Sequence, residues 1–150
     1  MIYDYVVVGA GIVGLSTAMA LLQKVPQGRL LILEKENEVA FHQSGHNSGV
    51  IHSGIYYKPG SFKARFARAG NRSMVDFCRE NDIEYKICGK LIVAVNDQEI
   101  SLLENLYLRG LANEIQVEKL GKEALKEREP HVHALAGLLV KETGVVDFKK

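Results

Sequence analysis

The sequence predicts an α/β fold that starts with a strand, a helix and a second strand, the two strands lying parallel. Two apolar runs, Val6–Val8 and Leu30–Leu33, mark the strands. Each run is too short for a helix and suits a buried parallel strand. A glycine-rich turn follows the first run directly, and a helix-like segment begins at Ile12. Because this order is that of a βαβ crossover, we expect one parallel sheet.

Three glycines at fixed spacing lie between the first strand and the helix. The turn reads Gly9-Ala10-Gly11-Ile12-Val13-Gly14. Gly9 allows a tight turn, Gly11 lets the backbone approach a pyrophosphate, and Gly14 lets the helix pack closely on the sheet. A diphosphate would lie against unpaired amides at the positive end of the helix. We therefore predict a Rossmann-like unit in which this whole turn binds a dinucleotide.

The helix of this unit is predicted to end at Pro26 and Gly28. Its apolar residues recur at three- and four-residue steps and are expected to pack on the sheet. These residues are Leu15, Ala18, Met19 and Leu22.

Glu34 follows the second apolar run, 20 residues beyond Gly14. A carboxylate at this position accepts hydrogen bonds from both hydroxyls of an adenosine ribose. It would repel the 2′-phosphate of NADP. The unit is therefore predicted to bind FAD or NAD before NADP.

A long polar loop, Lys35–Gly49, follows Glu34. Loops of this length in compact domains are commonly functional, and this one leaves the carboxyl end of a strand, where α/β sheets bind ligands. Its small residues Asn47, Ser48 and Gly49 offer amides and room for a planar ring, or form an ordinary polar turn.

Beyond this loop, strands and helices alternate without a second glycine turn of the same kind. Ser61 is expected to cap a helix that runs to about Asn81. The predicted strands are Val50–His52, Tyr85–Cys88, Gly89–Val95, Ile115–Val117 and Leu135–Glu142. Helices are predicted from Asp97 to about Asn113 and from about Lys122 to Glu129, and Gly144 is predicted to start a turn.

The change of pattern near Tyr85 predicts two domains. Residues 1–84 are assigned to the nucleotide-binding domain, and residues 85–150 to the beginning of a second, α+β substrate domain. A doubly wound nucleotide domain has about six strands, more than this region supplies. We therefore expect the sequence to be an N-terminal fragment, with the remaining strands encoded beyond residue 150.

The bulk composition excludes several classes of protein. The 150 residues carry a formal net charge of +1, which gives no reason to expect nucleic-acid binding. Cys78 and Cys88 lack the spacing of a zinc site or a disulfide framework and are interpreted as reduced core thiols in a cytosolic protein. The apolar N-terminus lacks the basic leader of a signal peptide.

Positive charge is concentrated between Lys58 and Arg72. Lys63, Arg65 and Arg68 lie in this stretch, which contains no acidic residue. A solvated helix face explains it most simply, and a surface for an anionic substrate or for membrane headgroups is the alternative.

The stretch from His42 to Ala64 resembles the signature of the L-2-hydroxyglutarate dehydrogenase and oxidase family, in the FAD-dependent D-amino-acid-oxidase-like superfamily. The run Cys88–Val95 and the turn Gly144–Asp147 are similar to the same family. Phe148, Lys149 and Lys150 do not match it. The glycine turn identifies only the superfamily, whereas the run from His46 to Lys58 is more specific.

The resemblance implies FAD as cofactor and oxidation of L-2-hydroxyglutarate to 2-oxoglutarate, with hydride transfer to the flavin. Electrons would pass to a quinone, another acceptor or oxygen, and peripheral contact with an inner membrane, mitochondrial in a eukaryote, would follow from a quinone. Two alternatives stay open: a related amine or glycerol-3-phosphate oxidase, and a non-catalytic dinucleotide-binding module. No metal is implied. Beyond the glycine turn and Glu34, the expected FAD contacts are Lys35, Gln43, Ser44, His46, Asn47, Ser48, Gly49, Val50 and Ile51.

Two histidines are candidates for chemistry. His52 is the candidate base, since a neutral imidazole can accept the hydroxyl proton as hydride leaves. An ordinary strand histidine bonded to backbone is the alternative. His46 lies where some relatives in the broader superfamily carry a flavin-linked histidine, but a hydrogen-bonding or structural role is expected here.

A dicarboxylate substrate needs cationic and hydroxyl partners. Tyr56 and Arg65 are the candidate substrate contacts, with Tyr57 and Lys58 beside them. Each also has an ordinary use, the tyrosines in sealing a domain interface and Arg65 as a solvated helix residue.

Overall fold

The computed structural model describes residues 2–150 and confirms the α/β class. Its helices are α1 (Ile12–Lys24), α2 (Phe62–Glu80), α3 (Asp97–Ala112) and α4 (Lys122–Arg128). Its strands are β1 (Tyr5–Val8), β2 (Leu30–Leu33), β3 (Val50–Ile51), β4 (Tyr85–Lys86), β5 (Lys90–Ala94), β6 (Val117–Gly121), β7 (Ala136–Val140) and β8 (Gly144–Val146). A short 3₁₀ turn, Gln43–Gly45, lies in the polar loop. The chain forms two compact units, one of residues up to Gly49 with 147–150 and one of Val50–Val146.

The first unit contains the predicted βαβ crossover. β1 and β2 pair in parallel, with Tyr5 opposite Leu30 and Val8 opposite Leu33. α1 connects the two strands and ends at Val25, whose amide donates to the carbonyl of Leu21 at 2.8 Å. The strand, helix and strand that the sequence predicts are therefore confirmed.

The predicted packing face of α1 is only partly correct. Ala18 is buried and Leu15 is half-buried, but Met19 and Leu22 are each 41% exposed. The sheet beneath α1 in this unit has two strands of four residues each. Because so narrow a sheet covers only the nearest residues of a helix, the outer apolar positions stay open to solvent.

The second unit contains two antiparallel sheets, each with a central strand. β8 lies between β3 and β4, and β7 lies between β5 and β6. The side chains of Leu138, Leu139 and Val140 on β7 are almost fully buried. Leu138 packs with Leu103 of α3, and Leu139 packs with Leu125 of α4. Val140 packs with Ile55 and Ile115. The central strand β7 is thus the core of this unit.

Helix α2 begins where the sequence predicts. The hydroxyl of Ser61 accepts a hydrogen bond from the amide of Ala64 at 3.2 Å, and Asn81 follows the last turn. Cys78 of α2 is buried, and this burial raises the pKa of its thiol. Cys88 is exposed, so its assignment to the core was wrong. It lies in the short turn between β4 and β5, where its side chain has no packing surface to cover it.

Three predicted elements are corrected by the structure. The strand predicted at Ile115–Val117 starts only at Val117, because Ile115 turns back and its amide bonds to the carbonyl of Gly110 at 2.9 Å. Gly144 does not start a turn. It begins β8, which pairs with β3 along one edge and with β4 along the other. The strand predicted at Tyr85–Cys88 is limited to Tyr85–Lys86, where pairing with β8 ends.

The compact units divide the chain after Gly49, since β3 is paired to β8 and therefore belongs with the later strands. The assignment of residues 1–84 and 85–150 to a cofactor domain and a substrate domain concerns function and stays a prediction.

Replacing Gly14 by alanine is expected to disrupt the first unit. A Cβ at this position would overlap the carbonyl oxygen of Gly9, and neither backbone can move without opening the turn. We expect the free energy of unfolding to fall by about 1–3 kcal/mol or more, with loss of bound cofactor. Thermal unfolding of the intact protein measures the change.

Gly70→Ala is the matched control, since Gly70 also lies inside a helix but a Cβ there would meet no atom within 4 Å. Because alanine has a higher helix propensity than glycine, this substitution should stabilise the protein by up to about 1 kcal/mol. Equal behaviour of the two variants would contradict the argument from close approach.

Candidate functional site

The glycine turn has the shape that a dinucleotide requires. Gly9 has a φ of +97°, a backbone angle that residues other than glycine rarely adopt. Its amide donates to the carbonyl of Leu33 at 2.7 Å. Gly14 lies so close to Gly9 that no side chain fits between them. Ala10 is buried, whereas Ile12 and Val13 are exposed at the start of α1. The three glycines of the turn therefore leave backbone without side chains at the N-terminus of the helix, beside the exposed side chains of Ile12 and Val13.

Glu34 closes the same turn from the end of β2. One carboxylate oxygen accepts from the amide of Ala10 at 2.7 Å. The other accepts from the amides of Lys35 at 2.9 Å and Glu36 at 3.1 Å. These bonds, that of Ala10 above all, hold the pKa of the Glu34 carboxyl below its ordinary value of 4.5. Glu34 is therefore ionised at neutral pH, and it can accept ribose hydroxyls as well as backbone amides.

The polar loop returns to the N-terminus of α1. The hydroxyl oxygen of Ser44 accepts from the amide of Ile12 at 2.9 Å, and the amide of Ala40 donates to the carbonyl of Ala10 at 3.0 Å. A Cβ on Gly11 would lie 3.1 Å from the Ser44 oxygen, so Gly11 leaves room for this approach. Of the predicted cofactor contacts in the loop, Ser44 is thus the one that meets the glycine turn.

The remaining loop residues are ordered by their own side chains. Asn47 donates to the carbonyl of Ser44 at 2.8 Å, and its side-chain oxygen accepts from the amide of Gly49 at 2.7 Å. His46 Nδ1 lies 3.0 Å from the carbonyl of His42, a local bond that fits its structural interpretation. Gln43 and Ser48 are exposed.

A side-chain contact in this loop was missed by the sequence analysis. His42 Nε2 lies 2.7 Å from Glu36 Oε1. The two residues are six positions apart in a loop without regular structure, so only the folded loop reveals the contact. The contact links the beginning of the loop, next to Glu34, to its middle.

The second unit holds the candidate substrate residues. Ile51 is buried and Val50 half-buried in β3, and His52 is exposed directly after it. Tyr56 is also exposed, with Lys90 Nζ 4.5 Å from its ring centroid and 3.4 Å from its hydroxyl. Lys90 is a cationic neighbour that sequence reasoning did not find, because it comes from β5, far along the chain.

The positive stretch of α2 is not uniform. Arg65 is exposed, with its guanidinium 5.7 Å from the centroid of the Phe62 ring, as expected for a solvated helix residue. Arg68 instead forms an ion pair with Glu142, and both side chains are only 17% exposed. Arg68 therefore does not belong to a basic surface, and the predicted surface shrinks to Lys58, Lys63 and Arg65 with Arg72.

Residues 2–150 contain no group of three His, Cys, Asp or Glu side chains that could hold a metal ion. Among their helices, none combines the length and the apolar character needed to cross a membrane.

The parallel βαβ unit, the glycine-rich turn and the ionised Glu34 define a dinucleotide-binding flavoprotein fold. The donor set fits FAD: the Gly9–Gly14 backbone and the Ser44 hydroxyl would hold the diphosphate, and Glu34 the adenosine ribose. The chain belongs to the FAD dependent oxidoreductase family, whose model matches residues 4–150.

Curated relatives lie within this family. The chain is 48% identical over 147 residues to L-2-hydroxyglutarate dehydrogenase of Escherichia coli K12, which covers 98% of the chain. It is 50% identical over 152 residues to the mitochondrial L-2-hydroxyglutarate dehydrogenase of Dictyostelium discoideum, covering 99% of the chain. The chain spans 35% and 34% of these two relatives.

Solved structures share the fold. L-alpha-glycerophosphate oxidase from Mycoplasma pneumoniae, determined with FAD bound, superposes with a TM-score of 0.88 at 31% identity over 98% of the chain and 39% of that structure. Glycine oxidase from Geobacillus kaustophilus superposes with a TM-score of 0.87 at 21% identity, over 98% of the chain and 41% of that structure. The second likeness concerns the fold alone.

Glu34→Gln is expected to weaken FAD retention and to change the pH dependence of stability. The lowered pKa of Glu34 means that its contribution is fully present above its ordinary value of 4.5 and is lost as pH falls through the folded value. The variant should therefore be less stable than the parent protein at pH 7, and the difference should shrink under acid conditions. Urea unfolding at several pH values and flavin absorbance measure both effects.

The control is Glu38→Gln, an exposed carboxylate in the same loop. A pH-independent difference between Glu34→Gln and the parent protein would contradict the role of the charged carboxylate.

Proposed function

We propose that the protein oxidises L-2-hydroxyglutarate to 2-oxoglutarate with FAD as its cofactor. The observation that carries the proposal is the identity of 48–50% to relatives named L-2-hydroxyglutarate dehydrogenase across nearly all of the chain. The run from His46 to Lys58, which resembles that family's signature, includes the ordered loop end and the segment after β3. Bound FAD would accept the hydride from the hydroxyl-bearing carbon.

Residues of the first unit are proposed to hold the cofactor. The amides at the start of α1 and the Ser44 hydroxyl bind the diphosphate, and Glu34 orients the adenosine ribose. Asn47 fixes the loop that ends at Gly49, so that its backbone stays in one conformation. Lys35, Gln43, His46 and Ser48 of this unit are proposed as further contacts, together with Val50 and Ile51, which begin the second unit.

Residues of the second unit are proposed to act on the substrate. His52, whose side chain is exposed directly after β3, accepts the hydroxyl proton as general base. Tyr56, with the ammonium of Lys90 beside its hydroxyl, and Arg65 bind the carboxylates. Lys90 supports this assignment because it adds positive charge next to Tyr56 in the folded unit.

Anaerobic addition of L-2-hydroxyglutarate to the intact protein is expected to bleach the visible flavin absorbance. Glycerol 3-phosphate and glycine are the competing substrates, because the two solved relatives are named for a glycerophosphate and a glycine oxidase. Bleaching by either of these but not by the hydroxy acid would overturn the proposed substrate. A bound flavin that none of the three reduces would favour the non-catalytic alternative.

The same reduced protein identifies the electron acceptor. We propose a quinone, and with it peripheral contact with a membrane, mitochondrial in a eukaryote. The Dictyostelium relative is named as a mitochondrial protein, which supports the mitochondrial location alone. The exposed side chains of Phe62 and Phe66 are compatible with that contact. Reoxidation by oxygen alone, or no cosedimentation with anionic vesicles, would contradict the quinone or the membrane contact respectively.

His52→Gln is expected to lower kcat by about 10²–10⁴-fold with flavin content unchanged, as for loss of a general base. His133→Gln, at an exposed histidine outside the proposed machinery, is the control and should leave kcat unchanged. Stopped-flow reduction of the flavin at several pH values measures the effect. Retention of most of the parent rate by His52→Gln would assign the proton transfer to another group.

A further inference from the structure

The segment that carries His52 leaves its strand abruptly. β3 pairs with β8 only at Val50–Val145 and Ile51–Gly144, so backbone pairing ends one residue before His52. His52 itself is exposed, while Ser53, Gly54 and Ile55 after it are buried. The backbone at this point therefore needs other partners to keep one conformation.

Asn71 of α2 provides these partners. Its side chain is 7% exposed, and its amide nitrogen lies 3.3 Å from the carbonyl of His52 and 3.4 Å from that of Ile51. The same nitrogen lies 3.0 Å from the carbonyl of Glu142, just before β8. One side-chain amide thus bridges the two chain segments at the point where the hydrogen-bonded pairing of β3 and β8 ends.

A second layer of contacts fixes Asn71 and Glu142. Arg68 lies one helical turn before Asn71 and donates to the Glu142 carboxylate and to the carbonyl of Glu114. Glu142 is therefore bound through its side chain by Arg68 and through its backbone by Asn71. Breaking a partly buried ion pair of this kind is energetically unfavourable. The Arg68–Glu142 pair therefore keeps Glu142 in place and so restrains the position of the Asn71 amide that is bonded to it.

The buried polar side chains of the described residues are concentrated in this region. They are Ser53, Asn71 and Thr143. Ser53 follows His52 and Thr143 follows Glu142, so all three adjoin the point that the Asn71 amide bridges. The Oγ of Ser53 and the Oγ1 of Thr143 have no hydrogen-bond partner among the described residues, so the side-chain bonds that specify the backbone path here are those of Asn71.

We propose that Asn71 is a positioning residue for His52: it holds the His52 backbone so that the imidazole meets the substrate hydroxyl in one orientation. The proposal rests on the function proposed above and adds a residue from α2 to it. Asn71 touches neither substrate nor cofactor in this role. It acts through the carbonyls of Ile51 and His52, and Arg68 and Glu142 act through Asn71.

The test uses the intact flavoprotein with Asn71→Leu, which removes the donor at nearly constant volume, and Asn71→Ser, which retains a shorter donor. Asn81→Leu is the matched control: Asn81 follows the same helix, is exposed, and donates to the carbonyl of Phe77 at 2.9 Å. Hydrogen exchange of the peptide 50–56 and of a reference peptide in α3 is measured by mass spectrometry.

Asn71→Leu should speed exchange in peptide 50–56 by about tenfold or more, while Asn81→Leu leaves it unchanged. It should lower kcat by about tenfold, with KM and flavin content near the parent values. In a His52→Gln background this effect on kcat should disappear, because a positioning residue has no effect once the group that it positions is gone.

Unchanged exchange in peptide 50–56 would overturn the proposal, and so would losses of kcat that multiply when the two substitutions are combined. Loss of flavin or of folding in both Asn71 variants would assign Asn71 a structural role instead. If L-2-hydroxyglutarate does not reduce the flavin of the parent protein, the proposed function is wrong. The exchange data then still decide whether Asn71 holds the His52 backbone.

Discussion

The close approach of Gly14 to the carbonyl of Gly9 is the constraint on which the first unit depends. It places the start of α1 directly against the end of β1, and only a residue without a side chain permits it. Glu34 and Ser44 then meet the same turn from the end of β2 and from the loop. A sheet strand, a helix terminus and a loop are in this way joined around a backbone surface that an anionic ligand can approach.

The second unit depends in a similar way on β8. This short strand pairs with both β3 and β4, and it brings residues more than ninety positions apart in the sequence into one sheet. Arg68 and Asn71 of α2 secure the end of that sheet through Glu142. Two other side chains, Arg109 of α3 and Asn113 directly after it, donate to the carbonyls of Tyr56 and Tyr57 at 3.0 and 2.9 Å. The segment between His52 and Tyr57 is thus held at both ends by helices.

The sequence predicts best where a local pattern determines the structure. The turn from Gly9 to Gly14, the cap at Ser61 and most helix ends follow from residues that are neighbours in the chain. Long-range pairing is not visible in such patterns, which is why Gly144 was assigned to a turn rather than to β8, and why Cys88 was placed in a core. The contacts of Lys90 and Asn71 and the Glu36–His42 contact were missed for the same physical reason. Each joins two residues that no local sequence pattern connects.

The three hydrogen bonds that backbone amides donate to the Glu34 carboxylate affect the free energy of cofactor binding. They order the turn and the first residues of the loop as part of folding, before any ligand is present. The conformational entropy of this segment is therefore lost on folding and not on association. Contacts made by an arriving nucleotide then contribute to affinity with little opposing loss from the protein, which is the thermodynamic advantage of a preorganised receptor.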